Sequence, residues 1–178
     1  MIQWETIVKQ ARDCHTKQAW HALFTQHGDV IASSGNSKPI AEIVKILRSD
    51  PQCLQYEPKI WGQLLQGCLA SWNLELGREI AEFCKKVPSA IINIPAAQLF
   101  LESGQPAVSR EIANRALRLA GLTAAEQLNL EMLICSSYAQ EGKRQRSIRL
   151  LTQIRSSIDS PALGTRDRAD FLTSMARM

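Results

Sequence analysis

Apolar residues recur along the chain at the three- and four-residue spacing that is typical of amphipathic α-helices. Glycines, prolines and short polar runs divide this pattern into ten segments, and none of them alternates as a β-strand would. The sequence therefore predicts an all-α fold of about ten helices. The predicted helices cover residues 2–14, 17–32, 39–48, 58–72, 75–87, 95–104, 107–120, 124–141, 144–158 and 166–178.

Three local signals set the helix boundaries most firmly. Residues 2–27 contain no Gly or Pro, but the apolar faces of the two halves of this segment lie about 150° apart, so we predict a break with Thr16 as an N-cap. Thr123 and Glu126 form the sequence pattern of a capping box. Pro95 lacks the amide hydrogen that a helix interior needs, so we expect a helix to begin there.

Loops of a few residues make consecutive helices antiparallel, and the resulting pairs repeat. The four first helices share one pattern, anchored at Gly28, Leu65, Ala97 and Cys135, with spacings of 37, 32 and 38 residues. At constant offsets the second helices supply small or apolar residues: Ile40, Val44, Leu47; Gly77, Ala81, Cys84; Ser109, Ala113, Ala116; and Ser147, Leu151, Ile154. Residues 17–157 therefore read as about four helix pairs.

This pattern resembles the tetratricopeptide-repeat superfamily, whose repeat is about 34 residues long, in a degenerate form. Leu65 replaces a small residue of the family pattern, and Asn93 and Glu131 replace bulky ones. Another α-solenoid family is the alternative. The resemblance implies one domain over 1–178, built as a right-handed superhelix of stacked helix pairs, with residues 1–16 as an N-terminal capping helix.

In the tetratricopeptide family the first helix of each pair lines a concave groove that binds a peptide or a partner protein. The resemblance implies that the partner groove here is lined by Thr25, Asp29, Lys59, Gln66, Leu69, Gln98, Leu101, Asn129, Met132, Ser136 and Gln140. This lining is mostly neutral and rich in amides. It suits hydrogen bonding to a peptide backbone and lacks the cationic clamp with which chaperone-binding members hold a carboxylate.

Residues 165–178 read as an unpaired last helix that begins a further repeat. Its predicted apolar side carries Ala169, Leu172, Met175 and Ala176. Solenoids need a polar cap at their ends. We therefore expect either that the chain is the N-terminal part of a larger repeat protein, or that its C-terminal end pairs with a second copy in a homodimer, or that this helix folds back and closes the stack.

Composition excludes several classes of protein. The chain of 178 residues is 45% hydrophobic, and no apolar run is long enough to cross a membrane. It does not begin with a secretory signal. Its five cysteines form no CxxC pair and fall among apolar neighbours, which favours reduced thiols and a cytoplasmic location. We therefore expect no membrane partner.

The residues that could carry chemistry give no catalytic or metal-binding pattern. His15, His21 and His27 are six residues apart, and this spacing places neighbouring side chains 240° apart on a helix, so they cannot converge on one metal. The chain has no glycine-rich phosphate loop and no HExxH motif. We therefore expect a protein that is not an enzyme and holds neither a metal nor a cofactor.

Residues 143–155 are distinctly basic, although the net charge of the chain is only +4. This run carries Lys143, Arg144, Arg146, Arg149 and Arg155 and no acidic residue. We interpret it as the solvated outer face of a helix whose inner face is formed by Ile148, Leu151, Ile154 and Ile158. The alternatives are a stripe that contacts phosphates or a dock for an acidic peptide.

The function that the sequence favours is a protein-interaction or scaffold module that binds a peptide or a partner protein in its concave groove. Nucleic-acid binding through the basic helix is a weaker alternative, because no aromatic residues are interspersed with the cations. A secretion-chaperone-like protein is a further alternative, on length and repeat number alone. Among the four tryptophans, Trp72 lies near a helix end, and we expect it to be the most exposed.

Overall fold

The computed structural model describes residues 4–158 and 163–176, apart from the side chains of 156, 157, 166, 167, 170 and 174–176. Within these ranges the chain forms ten α-helices and no strand, which confirms the predicted all-α class. A single 3-10 turn, Cys53–Gln55, lies between the third and fourth helices. The helices are α1 (Trp4–Arg12), α2 (Lys17–Ala32), α3 (Ser37–Arg48), α4 (Pro58–Ala70), α5 (Leu74–Phe83), α6 (Ala90–Glu102), α7 (Pro106–Ala116), α8 (Ala124–Gln140), α9 (Arg144–Ile158) and α10 (Thr165–Ala176).

Side-chain caps begin two of the helices where the sequence predicts them. The Thr16 hydroxyl accepts a hydrogen bond from the Ala19 amide at 3.2 Å, which separates α1 from α2. At the start of α8, the Glu126 amide donates to the Thr123 hydroxyl at 3.2 Å, and the Thr123 amide donates to the Glu126 carboxylate at 2.9 Å. Both pairings satisfy amides that a helix start leaves without partners.

The sixth helix corrects the prediction for Pro95. It begins at Ala90, so Pro95 lies inside it and is buried rather than starting it. A proline at this position removes the hydrogen bond to the carbonyl four residues earlier, which belongs to Ile91. That carbonyl packs against Gly62 of α4, where an added Cβ would lie only 2.7 Å from the Ile91 oxygen. The close approach of α4 and α6 therefore accommodates a proline that would break an isolated helix.

The helices pack in two layers. The inner helices α2, α4, α6 and α8 each contact the next inner helix in the chain. Of the outer helices, α5 and α7 each pack between the inner helix before them and the inner helix after them, whereas α3 packs on α1 and α4 and α9 packs on α8. Gln63 of α4 lies beside Asp29 of α2, and Gly67 lies beside Ile31, so these two inner helices run parallel.

One large core fills the space between the layers from α1 to α8. Trp20 and Trp61 are the largest of its fully buried side chains. The Trp61 ring packs on Phe83 of α5 with 5.4 Å between ring centroids, and its indole N–H donates to the Cys53 carbonyl at 3.2 Å. These two aromatic rings occupy the junction of α4 and α5.

A second, smaller core joins α8, α9 and α10. Phe171 of α10 and Leu163 are buried in it, together with Leu128, Met132, Cys135, Ile154 and Ile158. The apolar side predicted for the last helix differs from this one, because Ala169 is exposed and Leu172 is 53% exposed. The side chains of Met175 and Ala176 lie outside the described residues. Phe171 determines which side of α10 packs, since it is the largest apolar side chain of the helix.

Candidate interaction surfaces

The exposed side of the inner layer follows from how α4 is held between its neighbours. Gly62 contacts α6 on one side, and Gln63 contacts α2 on the other, where its amide donates to the Asp29 carboxylate at 3.4 Å. Only the side of α4 between these two contacts faces solvent. That side carries Lys59 and Gln66, both of which are exposed.

Most of the residues predicted for the partner groove lie on this exposed side of the inner helices. Thr25, Asp29, Lys59, Gln66, Gln98, Asn129 and Gln140 are exposed, and Leu69, Leu101 and Ser136 are half-buried. We call these ten residues, together with Ile91, the inner strip. Gln140 also ties α8 to α6, because its amide donates to the Leu101 carbonyl at 3.2 Å.

Met132 does not belong to the inner strip, although the sequence predicted that it would line the groove. Its side chain is only 6% exposed and packs in the second core. Leu163 and Phe171, which lie beyond the four predicted helix pairs, help to cover it. The repeat pattern of α8 alone could not reveal a neighbour from α10.

Ile91 is a residue of the inner strip that the sequence prediction missed. Its side chain is 46% exposed at the start of α6. The repeat offsets of 32 and 38 residues place it in the same position as Lys59 and Asn129, both of which the prediction included. The signal was therefore present in the repeat register, but the sequence prediction began this helix at Pro95 and left Ile91 outside it.

Trp72 is the most exposed of the tryptophans, as the sequence predicted, and 68% of its surface is accessible, more than for any other large apolar residue of the described chain. It also has a left-handed backbone, with φ of 53°. The corresponding turns after α6 and α8 carry Gly104 and Gly142, with φ of 70° and 74°. All three turns close with the same hydrogen bond, such as Asn73 N–H to the Cys68 carbonyl at 3.0 Å. Trp72 therefore stands where the other turns use glycine, and a bulky residue there is strained.

Some of the predicted basic residues gather around one aromatic ring. The guanidinium of Arg110 lies 4.5 Å from the centroid of the Tyr138 ring, Arg146 lies 5.8 Å from it, and the Lys143 ammonium lies 5.9 Å from it. Arg110 also donates to the Ser137 hydroxyl at 3.1 Å. We call Arg110, Lys143 and Arg146 the Tyr138 cation cluster. Arg110 is the member that the sequence prediction missed, because it comes from a different helix.

Glu141 neutralises part of this cluster. Its carboxylate pairs with Arg110 at 2.8 Å and with Lys143 at 2.6 Å, and its side chain is only 16% exposed. Hydrogen bonds from Arg110 and then from Lys143 lower the pKa of Glu141 to about 2. Three cations and one carboxylate leave a net charge of +2 around Tyr138.

The remaining basic residues of α9 do not share this environment. Arg144, Arg149 and Arg155 are exposed, and Arg144 points about 160° away from Arg146 around the helix. Ile148 is 51% exposed, which corrects the prediction that it belongs to the inner face. Ser147 is buried instead, with its hydroxyl 3.1 Å from the Cys135 sulfur, because the close contact of α8 and α9 admits only a small side chain.

A groove of about 380 Å³ lies between α7, α8 and α9. Its floor is aliphatic, and its two ends along α8 are Glu131 and Tyr138. Asn114 and Gln153 form the opposing rims. We call this space the outer groove, because it opens between two outer helices. No pattern in the sequence predicts this groove, since three separate helices bound it.

Other chemistry is sparse in the part of the chain that the structure describes. That part contains no group of three or more His, Cys, Asp or Glu side chains arranged to hold a metal ion. All five cysteines lie within it as free thiols. Burial raises the pKa of the Cys68 and Cys84 thiols to about 12, so they stay protonated and unreactive at neutral pH. No described helix has the length and apolar character needed to cross a membrane.

The described residues thus form an all-helical protein with two layers of helices and with exposed surfaces on both of them. No protein-family model, curated protein or solved structure matches the chain.

Proposed function

We propose that this chain is a protein-interaction module of the tetratricopeptide-like helical-repeat type. The inner helices would form its concave side, and the inner strip would bind a peptide or a segment of a partner protein. The parallel packing of α2 and α4 and the contact of each inner helix with the next support this arrangement. The many amide side chains of the strip suit hydrogen bonding to a peptide backbone.

The observation that carries the proposal is that Trp72 is exposed in a turn with a left-handed backbone. A tryptophan in a left-handed turn costs about 1 kcal/mol relative to glycine. It gains little from packing, because it is 68% exposed. Exposed tryptophans are enriched among the residues that dominate binding energy at protein interfaces. The strain therefore has a physical rationale if a partner covers this side chain.

Trp72 and Ile91 would anchor the partner at opposite ends of the strip. Trp72 follows the C-terminal end of α4, and Ile91 lies at the start of α6, the next inner helix. Between them the strip carries the amides of Gln66 and Gln98. A partner with two apolar contacts separated by an extended, hydrogen-bonded stretch fits this surface.

The test compares proteins captured from native lysate by the wild-type chain and by three variants, each with and without nuclease treatment. Trp72→Gly should lose the main partner and at the same time raise the free energy of unfolding by about 1 kcal/mol, since the strained φ is relieved. Ile91→Lys should also lose the partner. Ile148→Lys is the matched control, because it changes an exposed isoleucine outside the strip.

Mass spectrometry identifies the captured protein, and direct titration with that purified partner gives the affinities. Equal binding by Trp72→Gly and the wild-type chain would contradict the proposal. Loss of the partner after nuclease treatment alone would favour nucleic-acid binding instead.

A further inference from the structure

The floor of the outer groove is formed by aliphatic side chains. Leu117, Ile134, Leu150 and Ile154 form it, and they come from α7, α8 and α9. Its volume of about 380 Å³ is within the range of sites that bind small ligands or a few side chains. Because this floor is aliphatic, an occupant must bring apolar groups to it.

The two ends of the groove also carry opposite charges. The Tyr138 cation cluster, with its net charge of +2, borders one end, and Arg146 stands on the groove side of α9, two helical turns before Gln153. Arg146 has no carboxylate partner among the described residues. The other end carries the Glu131 carboxylate, which accepts a hydrogen bond from the Gln127 amide at 2.9 Å.

We propose that the outer groove binds a short peptide segment in which a basic and an acidic residue lie three positions apart with apolar residues between them. The apolar side chains would cover the aliphatic floor. The acidic side chain would pair with Arg146, and the basic side chain would pair with Glu131. This site is separate from the inner strip and does not depend on the function proposed for it.

The spacing follows from the geometry of α8. Glu131 and Tyr138 are seven residues apart, which corresponds to about 10 Å along a helix axis. A peptide in the polyproline II conformation has three residues per turn and advances about 3.1 Å per residue, so residues three positions apart lie on the same side and about 9 Å from each other. A basic and an acidic residue at that separation therefore reach the two ends of the groove together.

The same features argue for a peptide over a nucleic acid. Phosphates would meet the Tyr138 cation cluster at one end of the groove and would be repelled by Glu131 at the other. The aliphatic floor offers nothing to a phosphate backbone. An RNA strand would instead use all the exposed cations of α9, including Arg144 and Arg149.

The test uses the full chain and a fluorescein-labelled peptide of sequence Gly-Ser-Lys-Leu-Leu-Glu-Ser-Gly, with binding measured by fluorescence polarisation. Two analogues isolate its features. In one, Gln replaces both Lys and Glu, and in the other Ser replaces both Leu residues. We expect each analogue to bind at least about tenfold more weakly, since each loses either charge-assisted hydrogen bonds or apolar burial.

Two variants of the protein isolate the site. Arg146→Glu should weaken binding of the parent peptide by at least about tenfold. Arg144→Glu makes the same charge change on the opposite side of α9 and should leave binding within about twofold, because an exposed charge that is distant from the ligand contributes little. Thermal melts of both variants confirm that each is folded.

Three results would overturn the proposal. The parent peptide could bind no better than its analogues, which would remove the sequence requirement. Equal losses in the two variants would show that only the total positive charge matters. Binding of a labelled 20-nucleotide poly-uridine strand by the wild-type chain, weakened equally by both variants, together with no binding of the parent peptide, would assign the basic surface to RNA.

Discussion

The junction of α4 and α5 and the junction of α8 and α9 occupy equivalent places in the helical array, yet one is closed and the other is open. Both pairs of positions are related by the same offset of 70 residues, so Trp61 corresponds to Glu131, and Phe83 corresponds to Gln153. Trp61 and Phe83 pack together and fill the first junction. Glu131 and Gln153 line the outer groove at the second.

This difference shows how an array of packed helices can acquire a site without changing its backbone plan. Two bulky aromatic rings stabilise one junction, and two polar side chains in the same places leave a cavity between well-formed helices. The open junction has less stabilisation from packing, but its aliphatic floor is accessible to solvent and ligands. The comparison can be tested by closing the open junction and by opening the closed one.

The largest effect is expected from opening the closed junction. Trp61→Ala should lower the free energy of unfolding by about 3–5 kcal/mol, because a fully buried ring is removed and its indole hydrogen bond to Cys53 is lost. Chemical denaturation measures this change. Trp72→Ala is the matched control and should change stability by less than about 0.5 kcal/mol, because its side chain is mostly exposed. Equal losses in the two variants would mean that the Trp61 junction is not closely packed.

A smaller effect, in the opposite direction, is expected from closing the open junction. The double variant Glu131→Trp, Gln153→Phe should raise the free energy of unfolding by about 1 kcal/mol, since aromatic rings would fill the outer groove. It should also abolish binding of the Lys-Leu-Leu-Glu peptide. Glu131→Gln is the control, because it removes the charge without filling the space. A loss of stability in the double variant would show that the two junctions are not equivalent in shape.

The smallest effect concerns the charged end of the outer groove. The pKa of Glu141 is about 2 instead of the ordinary 4.5, so its ion pairs stabilise the fold above pH 4.5, and this contribution is lost as the pH falls toward 2. Glu141→Gln should therefore make stability fall less steeply with acidification across this window. Urea denaturation at a series of pH values measures the slope. Glu111→Gln, at an exposed position on α7, should keep the slope of the wild-type chain.

Much of the helical plan could be predicted from local sequence. The caps at Thr16 and Thr123, the exposure of Trp72 and most helix ends depend on residues within one or two turns of each other. The repeat register also placed most of the inner strip, because a constant offset carries a residue to the same side of each inner helix. It would have included Ile91 if the prediction had begun this helix at Ala90 instead of at Pro95.

The features that sequence reasoning missed depend on contacts between distant segments. Pro95 lies inside α6, where the Ile91 carbonyl that it frees packs against Gly62 of α4. Met132 is buried because α10 contributes to its cover. Ile148 is exposed because the close contact of α8 and α9 accommodates the small side chain of Ser147 instead.

The sequence by itself thus determined the number of helices and where most of them begin, since hydrogen bonding and amphipathic spacing act over short stretches of chain. Only the tertiary structure decided which surfaces remain open. The outer groove and the Tyr138 cation cluster each combine side chains from α7, α8 and α9. Whether such side chains fill a space or line it depends on their volumes and charges together, and no single segment contains that information.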